Sequence, residues 1–369
     1  MKKITYVFSG GRKNKLFSDN EFAKEFLYGA DFFNTELFEL NIIEFEEHEG
    51  FHKDFLKFFD KIFNKFFNLP FSSHKLTTFK NFKLFLKSDF IILVNEGVAF
   101  SSFFMLLVLK IISKKEIVIF SMGLLSKKIR FKYLSFIHNI FIYILIKLVS
   151  KVLFLGKPEY EQALKKFNDQ EKFYFLPFAI DEIFWSSSDS FDLNQKNKVL
   201  FVGNDGNRDF DTVVKIAEKL SEYEFLFISN SQKLLNVSLE NVKIYKGDWK
   251  ENYITDLELK EIYSKAFLSI IPLKNSLQPS GQSVALQSMS MGIPVMITKT
   301  DGFWDEENFK NEKNIIFIEN HNLDSWINKI KDLNNEMCSE ISVQSIKTVK
   351  KYYSYESFII NLNKILFEE

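Results

Sequence analysis

Residues 276–298 read SLQPSGQSVALQSMSMGIPVMIT, and they bring together a turn, a helix start and a strand. Pro279-Ser280-Gly281-Gln282-Ser283 is a turn of small and polar residues. A helical pattern follows at once, stops at Gly292, and gives way to a buried-strand pattern, Ile293-Pro294-Val295-Met296-Ile297. The first amides of a helix have no partner within it, and the aligned peptide dipoles leave partial positive charge there. The main-chain N–H groups of Gly281, Gln282 and Ser283 therefore suit a phosphate. An ordinary loop–helix–strand unit has the same look, so the other polar candidates matter. Arg208 has a planar guanidinium that can hold two phosphate oxygens at once, in competition with Asp205 and Asp209 beside it. In the first half of the chain, Ser9-Gly10-Gly11-Arg12 closes the first apolar run. Gly10 and Gly11 permit close backbone approach to a ligand. Their spacing is not Gly-x-Gly-x-x-Gly, which leaves a nicotinamide enzyme without support. Asn95-Glu96-Gly97 and Ser121-Met122-Gly123 each follow a buried run. Glu96 is the carboxylate there best placed to act as an acceptor base or an orienting group, against the plainer role of capping a helix.

Residues 4–8 read as a first strand, 37–45 as a loosely alternating one, and the short apolar runs at 90–94, 117–120 and 152–155 as buried parallel strands, with helical patterns between them. A helix is expected over 22–28, ending near Gly29. The polar run 186–190 reads as a hinge. Alternation then restarts, with strands at 199–202, 224–229, 242–246, 268–272, 294–298 and 315–318. Helices are expected at 211–222, 256–265, 283–291 and 323–333. This order predicts an α/β chain with two doubly wound sheets, whose ligands meet the carboxyl ends of the strands.

Several segments, in this order, resemble the GT-B glycosyltransferases of family four. The turn, helix and Met-Gly-Ile-Pro-Val strand followed by Thr300-Asp301-Gly302 are similar to the donor-nucleotide site of that family. Val199-Leu200-Phe201-Val202-Gly203-Asn204 with Arg208-Asp209-Phe210 resembles its opening strand and phosphate-contacting loop. Residues 176–184, LPFAIDEIF, resemble the segment P-x-G-I-D-x-x-x-F just before it. Residues 314–318 with Leu323-Asp324-Ser325-Trp326 resemble the closing strand and helix. The resemblance is carried by residues 150–345.

It implies two Rossmann-like doubly wound domains facing a cleft. These would be an acceptor-binding domain over 1–185, a nucleotide-sugar-binding domain over 196–348, and a helix over 349–369 that crosses back. Gly203, Asn204 and Arg208 would meet the diphosphate together with Ser280, Gly281, Gln282 and Ser283, while Gly10 and Gly11 would face the donor from the first domain. Tyr253 and Ile254, with Gly247-Asp248-Trp249, would lie against the base. The chain departs from the family at its usual glutamate pair, where Pro279 and Gln287 stand. Gln287 can still bond ribose hydroxyls as donor and acceptor, and Ser280, Gln282 or Gln278 would have to serve in place of Pro279.

The implied activity is a retaining transfer of sugar from a nucleotide-diphospho-sugar of UDP or GDP type to a glycan or lipid-linked acceptor, in the synthesis of a bacterial surface polysaccharide such as lipopolysaccharide. No cofactor is implied and no metal, and the five histidines have no metal-ligand spacing. The alternatives are a sugar-nucleotide epimerase of the same fold and a non-catalytic GT-B-like binding protein.

The chain of 369 residues is long enough for two cores. Its 48 basic and 48 acidic residues balance, which gives nucleic-acid binding no support. The balance is local rather than uniform: residues 51–151 hold 17 Lys/Arg against 5 Asp/Glu. Within that basic stretch, Phe51–Phe67 sets phenylalanines on one side and lysines on the rest, and 133–149 is a strongly apolar helix too short to span a bilayer. Peripheral contact with an anionic membrane surface on the cytoplasmic face is the expectation. One cysteine, Cys338, fits a reducing compartment. Residues 1–8 read as a first strand rather than a signal peptide.

Overall fold

The computed structural model describes residues 1–18, 21–48, 51–127, 132–187, 197–247, 254–319 and 322–368. The chain divides into two compact units. The first comprises Met1–Asp19, Phe26–Leu176 and Ile365–Glu369; the second comprises Asn20–Glu25 and Pro177–Lys364.

The first unit is built on six parallel strands: β1 (Lys2–Val7), β2 (Phe38–Ile43), β3 (Phe90–Leu93), β4 (Glu116–Ser121), β5 (Lys151–Phe154) and β6 (Phe173–Phe175). Their order is β2-β1-β3-β4-β5-β6. The central strands are short runs of Ile, Leu, Val and Phe because helices cover both sheet faces. Every residue of β3 is buried. The helix Glu96–Ile112 starts at Asn95, whose side chain accepts the Val98 amide at 2.9 Å. The helix Ser135–Leu148 packs beside it, and Phe51–Phe67 packs beside Ser135–Leu148.

The second unit repeats the plan with β7 (Lys198–Val202), β8 (Glu224–Ser229), β9 (Val242–Lys246), β10 (Ala266–Ile271), β11 (Val295–Thr298) and β12 (Ile316–Ile318). The order is β12-β11-β10-β7-β8-β9, again all parallel. Chain direction around the sheet reverses between β7 and β10, and that switch point is where such sheets leave a crevice. Phe201, Phe225, Phe227, Ile270, Met296 and Trp326 share one core cluster. Each such fully buried aliphatic or Phe side chain adds about 1.5–3 kcal/mol.

One expectation changes, and one strand appears that was not expected. The helix expected over 22–28 is a single 3-10 turn, Glu25–Leu27. Tyr28 and Gly29 follow with φ of 51° and 85°, left-handed backbone that cannot continue a helix. The strand β6 was not legible as a run, because it is only three residues long and two of them are half-buried. Most of the hinge expected at 186–190 lies outside the described residues.

Candidate functional site

The second unit gathers polar groups at its switch point. After β7 the chain turns through Gly203-Asn204-Asp205 and comes back along the segment that follows β10. Arg208 and Leu273 form an antiparallel bridge. The Asp209 amide donates to the Pro272 carbonyl at 3.0 Å, and the Lys274 amide to the Asn207 carbonyl at 2.8 Å. Arg208 is thus pinned between the ends of β7 and β10, and only 3% of it is exposed. Asp209 is not its partner. That carboxylate caps the helix Phe210–Lys219, accepting from the Thr212 amide at 3.2 Å and the Thr212 hydroxyl at 2.8 Å.

Two glycines make room for the arginine. A Cβ on Gly203 would lie 2.1 Å from Arg208 Nε, and a Cβ on Gly281 would lie 3.2 Å from Nη1. The side chain therefore runs across Gly203 and ends against Gly281. Gly281 sits at φ 84° immediately before the helix Gln282–Ser290, with no side-chain cap. A left-handed residue there favours glycine. The guanidinium and the amide end of a helix, both positive, meet at one corner. Nε and Nη1 are buried and make no hydrogen bond among the described residues. Asp205 Oδ2 stands 3.5 Å from Nε, a contact of opposite charges too long for a strong bond. Buried donors left unpaired cost about 1–3 kcal/mol each. An anion shared by the guanidinium and the helix end would relieve both costs.

The neighbouring candidates hold this corner in shape. Asn207 Nδ2 donates to Ser280 Oγ at 2.8 Å, tying the two turns together. Asn204 is a brace: its Nδ2 donates to the Gly247 carbonyl at 2.8 Å, and its Oδ1 accepts from the Ser229 hydroxyl at 3.1 Å and the Asn230 amide. Gln282 is buried and Ser283 half-buried. Ile254 is half-buried and stands just before Thr255, which forms a reciprocal cap with Glu258 on the helix Asp256–Ser264. Tyr253, Asp248 and Trp249 lie outside the described residues.

Gln287 sits one turn further along the helix, and its carboxamide is used inside the unit. Its Oε1 accepts from the Tyr263 hydroxyl at 3.1 Å, and its Nε2 donates to Glu25 Oε1 at 2.8 Å. Gln287 is itself buried, so its carboxamide is committed to these two partners. Trp185 Nε1 also donates to Glu25 Oε1, at 2.8 Å, and the Asp181 amide stands 3.4 Å from Oε2. Glu25 is thus a buried carboxylate that joins Gln287 to Trp185. Burial pushes its pKa up to about 7, the bonds from Gln287 and Trp185 pull it back, and the charge of Asp256 adds to the rise. Sequence reasoning did not find Glu25. Its partners are 160 and 262 residues away, so no local spacing marks it.

Gly10, Gly11 and Glu96 belong to the first unit, and Arg208 to the second. Gly10 and Gly11 have φ of 147° and 74°, with open space where a side chain would be. The short helix after them is already served by protein, since Glu44 Oε1 accepts from the Arg12 and Lys13 amides at 2.5 and 2.9 Å. Glu96 is buried; its Oε2 stands 3.4 Å from the Met122 amide and its Oε1 3.6 Å from Lys127 Nζ. A second carboxylate that sequence reasoning missed, Glu159, holds the same loop by accepting from Ser121 Oγ at 3.1 Å and the Leu125 amide at 2.8 Å.

Two doubly wound units with this element order have the GT-B fold, and solved structures share it over the whole chain. Sucrose-phosphate synthase from Thermosynechococcus elongatus is similar at 12% identity with a TM-score of 0.69, over 99% of this chain and 98% of that one. HepE of Anabaena, solved in complex with UDP-glucose, is similar at 12% identity with a TM-score of 0.66, over 99% of both chains. A glycosyltransferase from Rickettsia africae is similar at 12% identity with a TM-score of 0.64, over 100% of this chain and 99% of that one. No protein-family model matches the chain, and no curated protein is significantly similar to it in sequence. At such identity the likeness is one of fold, and a fold alone does not carry an activity.

Proposed function

We propose that the protein is a glycosyltransferase that takes a sugar from a nucleotide-diphospho-sugar, of UDP or GDP type, and passes it to a glycan or lipid-linked acceptor in bacterial surface polysaccharide synthesis. One observation carries the reading: the buried guanidinium of Arg208 ends at the uncapped start of the helix Gln282–Ser290. Departure of a nucleoside diphosphate develops negative charge on the phosphate next to the sugar. Fixed positive groups aimed at that charge lower the barrier without having to reorganise. Arg208 would take two oxygens and the amides after Gly281 a third. Asn204, Asn207 and Ser280 would keep the two turns in register. The UDP-glucose bound by HepE, which shares the fold, supports a uridine donor. Retention, which the family resemblance implies, lets the leaving phosphate accept the acceptor's proton, so the reaction does not require a strong protein base.

The inward use of Gln287 favours one second reading, a protein that binds the nucleotide without turning it over. Calorimetry with UDP, GDP and ADP, followed by product analysis with UDP-sugars and a glycan acceptor, separates the two. Arg208→Ala is expected to weaken UDP binding and to remove at least ~2 kcal/mol of transition-state stabilisation. Full activity in that variant would refute the role given to the guanidinium. Binding with no transfer to any acceptor and no isomerised donor would favour the second reading.

A further inference from the structure

We propose that the outer face of three helices in the first unit, Phe51–Phe67, Glu96–Ile112 and Ser135–Leu148, docks in the plane of an anionic lipid surface. The inference is independent of the donor reading above.

The helices lie side by side. The Phe141 ring is 5.0 Å from Phe63 on one neighbour and 5.4 Å from Phe103 on the other. Their inner faces are committed to the core: Phe63 stacks on Phe71 at 4.6 Å, and His138 Nδ1 meets the Phe67 carbonyl at 2.6 Å. Their outer faces remain apolar. Phe58 is 60% exposed, Ile111 84% and Phe136 72%. The exposed positions keep helical spacing, with Phe104, Val108 and Ile111 on one helix and Phe136, Ile140 and Tyr143 on the next. Contiguous apolar surface of this kind is rare on a face that meets only water.

Charge identifies the occupant. Among the described residues of these helices, the exposed charged side chains are Lys57, Lys61, Lys65, Lys110 and Lys147, against Asp54 alone. The acids Asp60 and Glu96 are buried. Lysines also flank the exposed rings, with Lys147 Nζ 5.6 Å from the centre of Tyr143 and Lys65 Nζ 5.6 Å from that of Phe66. Rings that enter the acyl boundary while ammonium groups reach back to headgroup phosphates are what an interfacial helix needs. A protein partner would need carboxylates to match five lysines, whereas an anionic bilayer supplies that charge everywhere on its surface. Spanning is not the mode. Ser135–Leu148 has 14 residues and is about 21 Å long, short of the hydrocarbon thickness of about 30 Å, and no helix among the described residues is long and apolar enough to cross.

The test is co-sedimentation of the full chain with vesicles of phosphatidylcholine and with vesicles of phosphatidylcholine and phosphatidylglycerol in equal parts. The chain is expected to sediment with the anionic vesicles and stay in solution with the neutral ones. Lys57→Gln with Lys61→Gln should weaken the anionic binding on the order of tenfold, and Phe58→Ser with Phe136→Ser by a similar factor. These side chains are exposed, so an unchanged thermal midpoint shows that the variants fold. Three results would overturn the proposal: no binding to either vesicle, binding that both pairs of substitutions leave unchanged, or a concentration-dependent dimer without vesicle binding that Phe136→Ser dissolves. The last would show that a second copy covers the face.

Discussion

Replacing Glu25 with glutamine should remove a pH-dependent loss of stability from the second unit. Glu25 is 2% exposed, and its pKa rises from the ordinary 4.5 to about 7 chiefly because burial penalises the charge. The folded state therefore holds this proton more tightly than the unfolded chain does. The stability it contributes is fully present below about pH 4.5 and is lost as pH rises through about 7. A difference of about 2.5 units corresponds to about 3 kcal/mol across that window. Glu25→Gln keeps an oxygen that can accept from Trp185 Nε1 and Gln287 Nε2 and removes the charge. Variant and wild type should match near pH 4, and the variant should be more stable by up to about 3 kcal/mol near pH 8. Urea unfolding followed by tryptophan fluorescence reads the right unit, because Trp185, Trp249, Trp304 and Trp326 all fall within Pro177–Lys364. An equal stability difference at both ends of the range would refute the reasoning, since it would mean that the carboxylate does not titrate there.

Gly203→Ala should act through the arginine. The new methyl would stand 2.1 Å from Arg208 Nε, so the side chain must move. UDP affinity by calorimetry should fall on the order of tenfold, the loss of one charge-assisted bond, and restored binding would require a second site for the diphosphate. Glu159→Gln should flatten the fall of stability from acid to mildly alkaline pH. Burial first, then the charge of Glu96, pushes Glu159 up to about 8, so its contribution is present below about pH 4.5 and is lost as pH rises through about 8. Scanning calorimetry should show the variant's unfolding temperature falling less than that of the wild type between about pH 4.5 and about pH 8.

Much of the fold was legible because parallel strands buried on both faces must be short and apolar. Phe90–Leu93 and Val295–Thr298 show this, being buried at every residue. The meeting of Arg208 with the turn at Gly281, where we propose the diphosphate binds, was legible for a local reason too. A small-residue turn placed before a helix exposes amides wherever it occurs, and Arg208 follows a strand that ends at the same switch point. What the sequence hid was long-range. Glu25 lies in a run, Phe22 to Tyr28, whose apolar spacing suggests a helix, and only the distant Trp185 and Gln287 give its carboxylate a reason to be buried. The stripe of phenylalanines on Phe51–Phe67 was visible, but not its division. Phe63 turns to Phe71 and Phe141, while Phe55 and Phe58 stay outside. Periodicity records which side of a helix is apolar, and it cannot say where the neighbouring helix stops covering it.

The path of the chain through Asn20–Glu25 also limits how the protein can be taken apart. Six residues near the start are counted with the second unit, and the last five with the first. A cut at Leu176 would leave a carboxy-terminal fragment in which the indole of Trp185 and the amide of Gln287 have lost their shared acceptor. The other fragment would lack Ile365, whose carbonyl takes a bond from Lys151. Fragment expression at that boundary should therefore yield two incomplete cores, and adding a peptide spanning residues 20–25 should raise the melting temperature of the larger piece.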